Sequence, residues 1–179
     1  AGLFFAVPKK FQWLVLLAAS TLFYLSAGVQ CGGAIIVTIV SQYLLALRLD
    51  QLNRALEERL REEGVNGKEK AALKRAAASS KKKYVVCSIL INIGLLCFVK
   101  YTGVFFEKIH ILVPLGISFY TFKSLGYVID VYRGKEKAER NILRFALFIS
   151  YFPAILQGPI DRYKDLAHQL YAPHFFDYR

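Results

Sequence analysis

Methionine is absent from the 179 residues, cysteine occurs three times, and acidic residues number 13 against 24 Lys and Arg. Each shortage excludes something. Cys31, Cys87 and Cys97 lie in separate apolar stretches, with no pair at metal-ligand spacing. A cysteine zinc site is therefore excluded, and three small buried residues are expected. No metal and no cofactor is expected. A G-x-S-x-G nucleophile elbow is missing. "GVNGKEK" is not a phosphate-binding loop, because its spacing is short and Glu follows the Lys. The start, "AGLFFAVPKK", has neither the charged beginning nor the cleavage site of a signal peptide. With no methionine, the sequence is expected to be an internal piece of a longer protein.

What is present is apolar and basic. Hydrophobic residues make up 55% and aromatics 15%, with a formal net charge of +11. A basic excess suits nucleic acid or a membrane surface. Here the charges sit between apolar blocks of nearly bilayer-crossing length, about 20 residues. That pattern favours a membrane and no nucleic acid. The expected fold is all-α and polytopic, a single membrane-embedded unit over residues 1–179. It has about four transmembrane helices, near 11–27, 31–49, 84–100 and 111–131, and a broken or re-entrant fifth near 141–157. Residues 48–83 between the second and third blocks are dense in charge and helix formers. Leu49, Leu52, Leu56 and Leu60 follow helical spacing, and Glu57 precedes Arg61 by four residues. Two readings fit: amphipathic helices lying near the membrane surface, or a solvated charged hairpin.

Basic residues set the orientation. An up-and-down path places eighteen Lys and Arg of the connections on one side and only Lys100 and Lys108 on the other. The crowded side, with the hairpin 48–83, is expected to be cytoplasmic.

Two stretches carry candidate chemistry. In the fourth block, Tyr120, Lys123, Tyr127 and Asp130 step by three, four and three, which puts them on one helix face. A Lys or Asp facing lipid at mid-membrane costs about 2.5–3.5 kcal/mol on insertion scales. Such residues should face protein or a water-filled cavity. Asp130 alternatively sits at the interface beside Arg133. The second stretch is "YFPAILQGPIDRY". Pro153 removes a backbone donor, and Gly158-Pro159 ends any helix. Gln157, Asp161 and Arg162 crowd polar groups at that break. Irregular backbone at membrane depth needs protein or water to satisfy it. Either a re-entrant turn lines a cavity there, or a helix ends at the headgroups. His110, His168 and His174 lie in connections or at the end, and are read as interface residues.

"PLGISFYTFKSLGYVIDVYRGK", followed by "FALFISYFPAILQGPIDRY", resembles the membrane-bound O-acyltransferase family, nearest its bacterial alginate O-acetylation and teichoic-acid D-alanyl transfer types. "WLVLLAASTLFYL" fits as well, so the resemblance covers nearly the whole chain but only the amino-terminal part of the family. "GPIDR" is similar to the teichoic-acid branch and "YVIDVYRGK" to the polysaccharide branch. The resemblance implies a multi-pass enzyme of the bacterial inner (cytoplasmic) membrane with a tunnel through it. Such an enzyme moves an acetyl or D-alanyl group from a cytoplasmic donor, a thioester carrier protein or acyl-CoA. The acceptor is a hydroxyl on an extracytoplasmic polysaccharide or teichoic acid of the cell envelope, reached directly or through an acceptor protein. It implies an essential histidine later in the chain and no catalytic residue among these 179. Tyr120, Lys123, Tyr127, Asp130, Gln157, Asp161 and Arg162 become candidates for the substrate path, and Pro153, Gly158 and Pro159 for the turn. A transporter or channel is the alternative suggested by Lys123 and Asp130 in one span. A noncatalytic scaffold using the charged hairpin is another.

Overall fold

The computed structural model describes residues 8, 11–26, 29–61, 67–105, 116–151, 153 and 163–171. Among them are six helices: α1 (Gln12–Ser26), α2 (Val29–Arg61), α3 (Gly67–Phe105), α4 (Ile117–Tyr132), α5 (Ile142–Ser150) and α6 (Tyr163–Tyr171). No strand occurs among the described residues. Two stretches, Gly32–Arg61 and Gly67–Lys100, are helices long and apolar enough to cross a membrane.

The two long helices differ from the sequence expectation. No helix boundary separates the second apolar block from the charged stretch after it. α2 runs unbroken through Arg48 to Arg61, and α3 carries the basic stretch straight into the third block. The physical reason is that a change from apolar to charged residues is not a stop signal. Leu, Ala, Arg, Glu and Lys are all good helix formers, and no glycine or proline falls between Gly33 and Arg61. The charged hairpin is thus an extension of two membrane-length helices and not a separate pair lying on a surface. With 33 and 39 residues, α2 and α3 are about 50 and 58 Å long. Both exceed a hydrocarbon core of about 30 Å. Leu49 is buried and Leu52, Leu56 and Leu60 are half-buried, so the leucine stripe forms an inward seam on the extension.

α2 is the hub. It packs on α3 and α4 on one side and on α1 and α5 on the other; α4 also meets α3 and α5, and α6 rests on α5. Outward faces are apolar: Leu22, Ile36, Leu90 and Phe98 are each more than half exposed. Hydrocarbon solvates such side chains where water would penalise them. Cys87 and Cys97 lie on these outward faces, correcting the expectation that they are buried. Cys87 precedes the buried Ser88 on α3, so the polar neighbour takes the inward position.

The interior carries polar groups instead. Gln42, Ser88, Asn92 and Ser124 are all buried. Ser88 Oγ donates to Gln42 Oε1. Asn92 Nδ2 donates to the Ser88 carbonyl at 3.0 Å, and Ser124 Oγ lies 3.0 Å from Asn92 Oδ1. This chain of bonds joins α2, α3 and α4. Between helices in lipid, such bonds stand in for a hydrophobic drive that lipid tails do not provide. Nearer the charged ends, Asn53 Nδ2 donates to the Val131 carbonyl at 2.7 Å and Asn53 Oδ1 accepts from Lys81 Nζ at 3.0 Å. Asp50, buried, pairs with Arg54 at 2.8 Å.

α4 ends in a glycine stop. Gly134 has φ 70, the left-handed conformation, and its N–H donates to the Val131 carbonyl while Lys135 N–H donates to the Asp130 carbonyl. This is a Schellman closure, in which a residue without a Cβ takes the left-handed position. α5 is shorter than expected. It stops at Ser150, with Tyr151 at φ −59 and ψ 99, rather than running to Gln157. Proline disfavours helical conformation just before it and cannot donate, so the helix closes before Pro153. Residues 154–162 lie outside the described residues.

Candidate functional site: the inward face of α4

The i, i+3, i+7 spacing places three of the four stripe residues inside. Tyr120, Lys123 and Tyr127 are 0%, 1% and 2% exposed. Lys123 Nζ sits 4.5 Å from the centroid of the Phe148 ring on α5. An ammonium over an aromatic face, away from water, gains about 2 kcal/mol. Tyr120 meets Tyr24 of α1 edge-on at 6.5 Å. Asp130 is half-buried in the last turn of α4. Among the described residues no ion pair joins it to Arg133.

Around Tyr127 the rings form a cluster. Its centroid lies 4.9 Å from Phe145 and 4.9 Å from Tyr163, and Tyr163 lies 4.9 Å edge-on from Phe148. Tyr163 opens α6, whose buried Tyr163, Leu166, Ala167 and Leu170 recur at helical spacing. Glu139 fastens this cluster. Its backbone N–H donates to Tyr127 Oη at 2.8 Å. Its two carboxylate oxygens accept from Tyr163 Oη at 2.6 Å and from the Asn141 N–H at 2.9 Å. Asn141 in turn caps α5 by accepting from the Leu143 N–H at 3.0 Å. Burial, then the bond to Glu139, pushes the Tyr163 phenol well above its ordinary range. Burial likewise raises Tyr171. Tyr171 Oη donates to the Arg144 carbonyl at 2.8 Å, and the Arg144 guanidinium lies 5.8 Å from the Trp13 ring centroid and 5.2 Å from that of Tyr171.

Of the other sequence candidates, Pro153 is half-buried just beyond α5. Gln157, Gly158, Pro159, Asp161 and Arg162 lie outside the described residues, as do His110 and His174. His168 falls on α6. Glu139, Tyr163 and the contacts of Arg144 with Trp13 and Tyr171 were not singled out from sequence. Their one local signal is "ERN", in which an acid and an asparagine precede an apolar run as a helix start does. Among the described residues no three His, Cys, Asp or Glu side chains converge as a metal site needs.

Membrane-length helices with apolar outer faces and a buried lysine and phenols within define a helical membrane protein with a polar interior. Comparison with known proteins narrows this class. The chain is 30% identical over 183 residues to the probable alginate O-acetylase of Pseudomonas aeruginosa, covering 94% of this chain and 31% of the relative. It is 26% identical over 192 residues to the peptidoglycan O-acetyltransferase of Helicobacter pylori, covering 88% and 32%. It is 38% identical over 77 residues to the teichoic acid D-alanyltransferase of Lacticaseibacillus rhamnosus, covering 43% and 19%. Homologues with these names cover most of the chain, consistent with the membrane-bound O-acyltransferase type. The chain spans about a third of the length of the first two relatives. No protein-family model matches the chain. No solved structure matches it either.

Proposed function

We propose that the chain forms the amino-terminal wall of a multi-pass O-acyltransferase in a bacterial inner membrane. The enzyme moves an acyl group, acetyl or D-alanyl, from a cytoplasmic thioester carrier or acyl-CoA to hydroxyls of an envelope polymer. The observation that carries this reading is the buried Tyr120–Lys123–Tyr127 face of α4, in a chain whose relatives are named for acyl transfer to alginate, peptidoglycan and teichoic acid. A lysine held in an apolar interior suits a path along which an ester or carboxylate oxygen travels, since it offers positive charge where water offers none. The base that accepts the hydroxyl proton is a histidine from later sequence. α1, α2, α3 and α4 are the spans, the stretch near 141–157 that holds α5 is the broken or re-entrant fifth, and Gln157, Gly158, Pro159, Asp161 and Arg162 are its candidates for the turn and the substrate path. The extension of α2 and α3 lies in the cytoplasm, on the donor's side.

The test is radiolabelled acyl transfer to envelope polymers in a deletion strain, with and without the full-length gene. Label that returns with the gene supports the reading. Uptake or efflux restored with no acylated polymer supports a transporter instead. The 179-residue chain expressed alone is expected to insert and transfer nothing, because it holds the wall without the base.

A further inference from the structure

We infer that Glu139 is a positioning residue for acyl transfer, holding the start of α6 against α4 and α5 through Tyr163, Tyr127 and Asn141; the inference rests on the O-acyltransferase reading.

The geometry singles out this residue. The carboxylate has two oxygens and uses each on a different element: Oε2 on Tyr163 of α6, and Oε1 on the Asn141 N–H that leads into α5. Its own N–H takes the third element, through Tyr127 Oη of α4. One residue in an irregular connection therefore sets the mutual spacing of three helices. Tyr127 belongs to the buried α4 face, and Tyr163 shares the Phe148 ring with Lys123: Phe148 is 4.9 Å from the one and 4.5 Å from the other. If α6 shifts, Phe148 shifts, and the surroundings of Lys123 shift with it. Bonds from neutral donors to an ionised acceptor are shorter and stronger than neutral pairs, which suits the 2.6 Å distance. In this pair the Tyr163 hydroxyl donates and the Glu139 carboxylate accepts.

A positioning role and a chemical role for the carboxylate give different results. Glutamine keeps one oxygen to accept from Tyr163, loses the charge and gives up the bond to the Asn141 N–H; alanine loses every contact of the side chain. In the full-length protein in nanodiscs, spin labels at the exposed positions 137 and 164 should give a narrow distance distribution. Glu139→Ala and Tyr163→Phe should broaden it, and Glu139→Gln should restore it. Acyl transfer per inserted protein should fall roughly tenfold to a hundredfold in the first two, the scale of an ångström of misplacement. It should return to within a few-fold of wild type in Glu139→Gln. The double variant Glu139→Ala/Tyr163→Phe should be no worse than Glu139→Ala alone, as residues acting through one contact are not additive. An unchanged distance in both single variants overturns the inference. So does a Glu139→Gln enzyme as inactive as Glu139→Ala, which would give the carboxylate a chemical role. Absence of transfer in the wild type would overturn the acyltransferase reading, while the distances still decide whether Glu139 holds α6.

Discussion

Lys123 is the residue on which the most rests. It is 1% exposed and its Nζ lies against the Phe148 face. Lys123→Leu keeps the bulk and removes the charge. Membrane-inserted yield should stay near wild type, because replacing a buried charge by an apolar side chain of similar volume is often neutral for stability. Acyl transfer should fall by at least an order of magnitude if the charge serves a developing or passing anion. Quantifying acylated polymer against inserted protein separates the two effects, and full activity would remove Lys123 from the path. Tyr163 makes a second prediction, in pH. Its folded-state pKa is raised, so above pH 10 the unfolded chain loses the phenolic proton first. Stability linked to it is complete below about 10, the ordinary tyrosine value, and declines as pH rises. Thermal melts in detergent from pH 8 to 11 should show a steeper loss for wild type than for Tyr163→Phe. The spacing of Tyr120, Lys123 and Tyr127 made their common face legible in the sequence. Glu139 was not legible, because its partner Tyr163 lies 24 positions on, beyond the whole of α5, where no periodicity connects the two.

At the scale of elements, the polar ladder through Gln42, Ser88, Asn92 and Ser124 holds α2, α3 and α4 together. Asn92→Ala removes the groups that bond Ser88 and Ser124. The expected loss is about 1–2 kcal/mol, the scale of an interhelical bond in membranes. It should appear as a lower melting temperature in detergent with α-helical content unchanged. Asn92→Leu should not recover it, whereas Asn92→Gln should in part. Sequence patterning fails here for a physical reason. Small hydroxyls and an amide hardly lower the hydropathy of an apolar block, so the third block read as a uniform span. The same block ran on into its charged neighbour because no glycine or proline falls between Gly67 and Gly94, and a change to charged residues is not a stop signal. In the sequence Pro153 reads as removing a donor within a helix that ends at Gly158-Pro159, whereas α5 closes at Ser150, before the proline itself.

For the whole molecule, the basic excess of the connections predicts the orientation. With Cys31, Cys87 and Cys97 replaced, single cysteines near Gly67 and Lys137 should resist an impermeant thiol reagent in intact cells, and one near Phe106 should react. Labelling at Gly67 without lysis would reverse the orientation. The all-helical class and the apolar outer faces were legible from block length and composition, because lipid demands both. The assembly of helices around α2 was not, since every block looks alike from outside and only the buried polar side chains say which neighbour each one meets.

The unbroken run of α2 has a mechanical consequence. Because α2 has no joint near Arg48, its outer end and its buried part form one lever arm. The fulcrum is at Asn53, bonded both to the Val131 carbonyl at the end of α4 and to Lys81 of α3. From Asn53 to Arg61 the arm extends about 12 Å. A load landing on its tip is not absorbed by a hinge. It is delivered to the last turn of α4, the helix that carries Lys123.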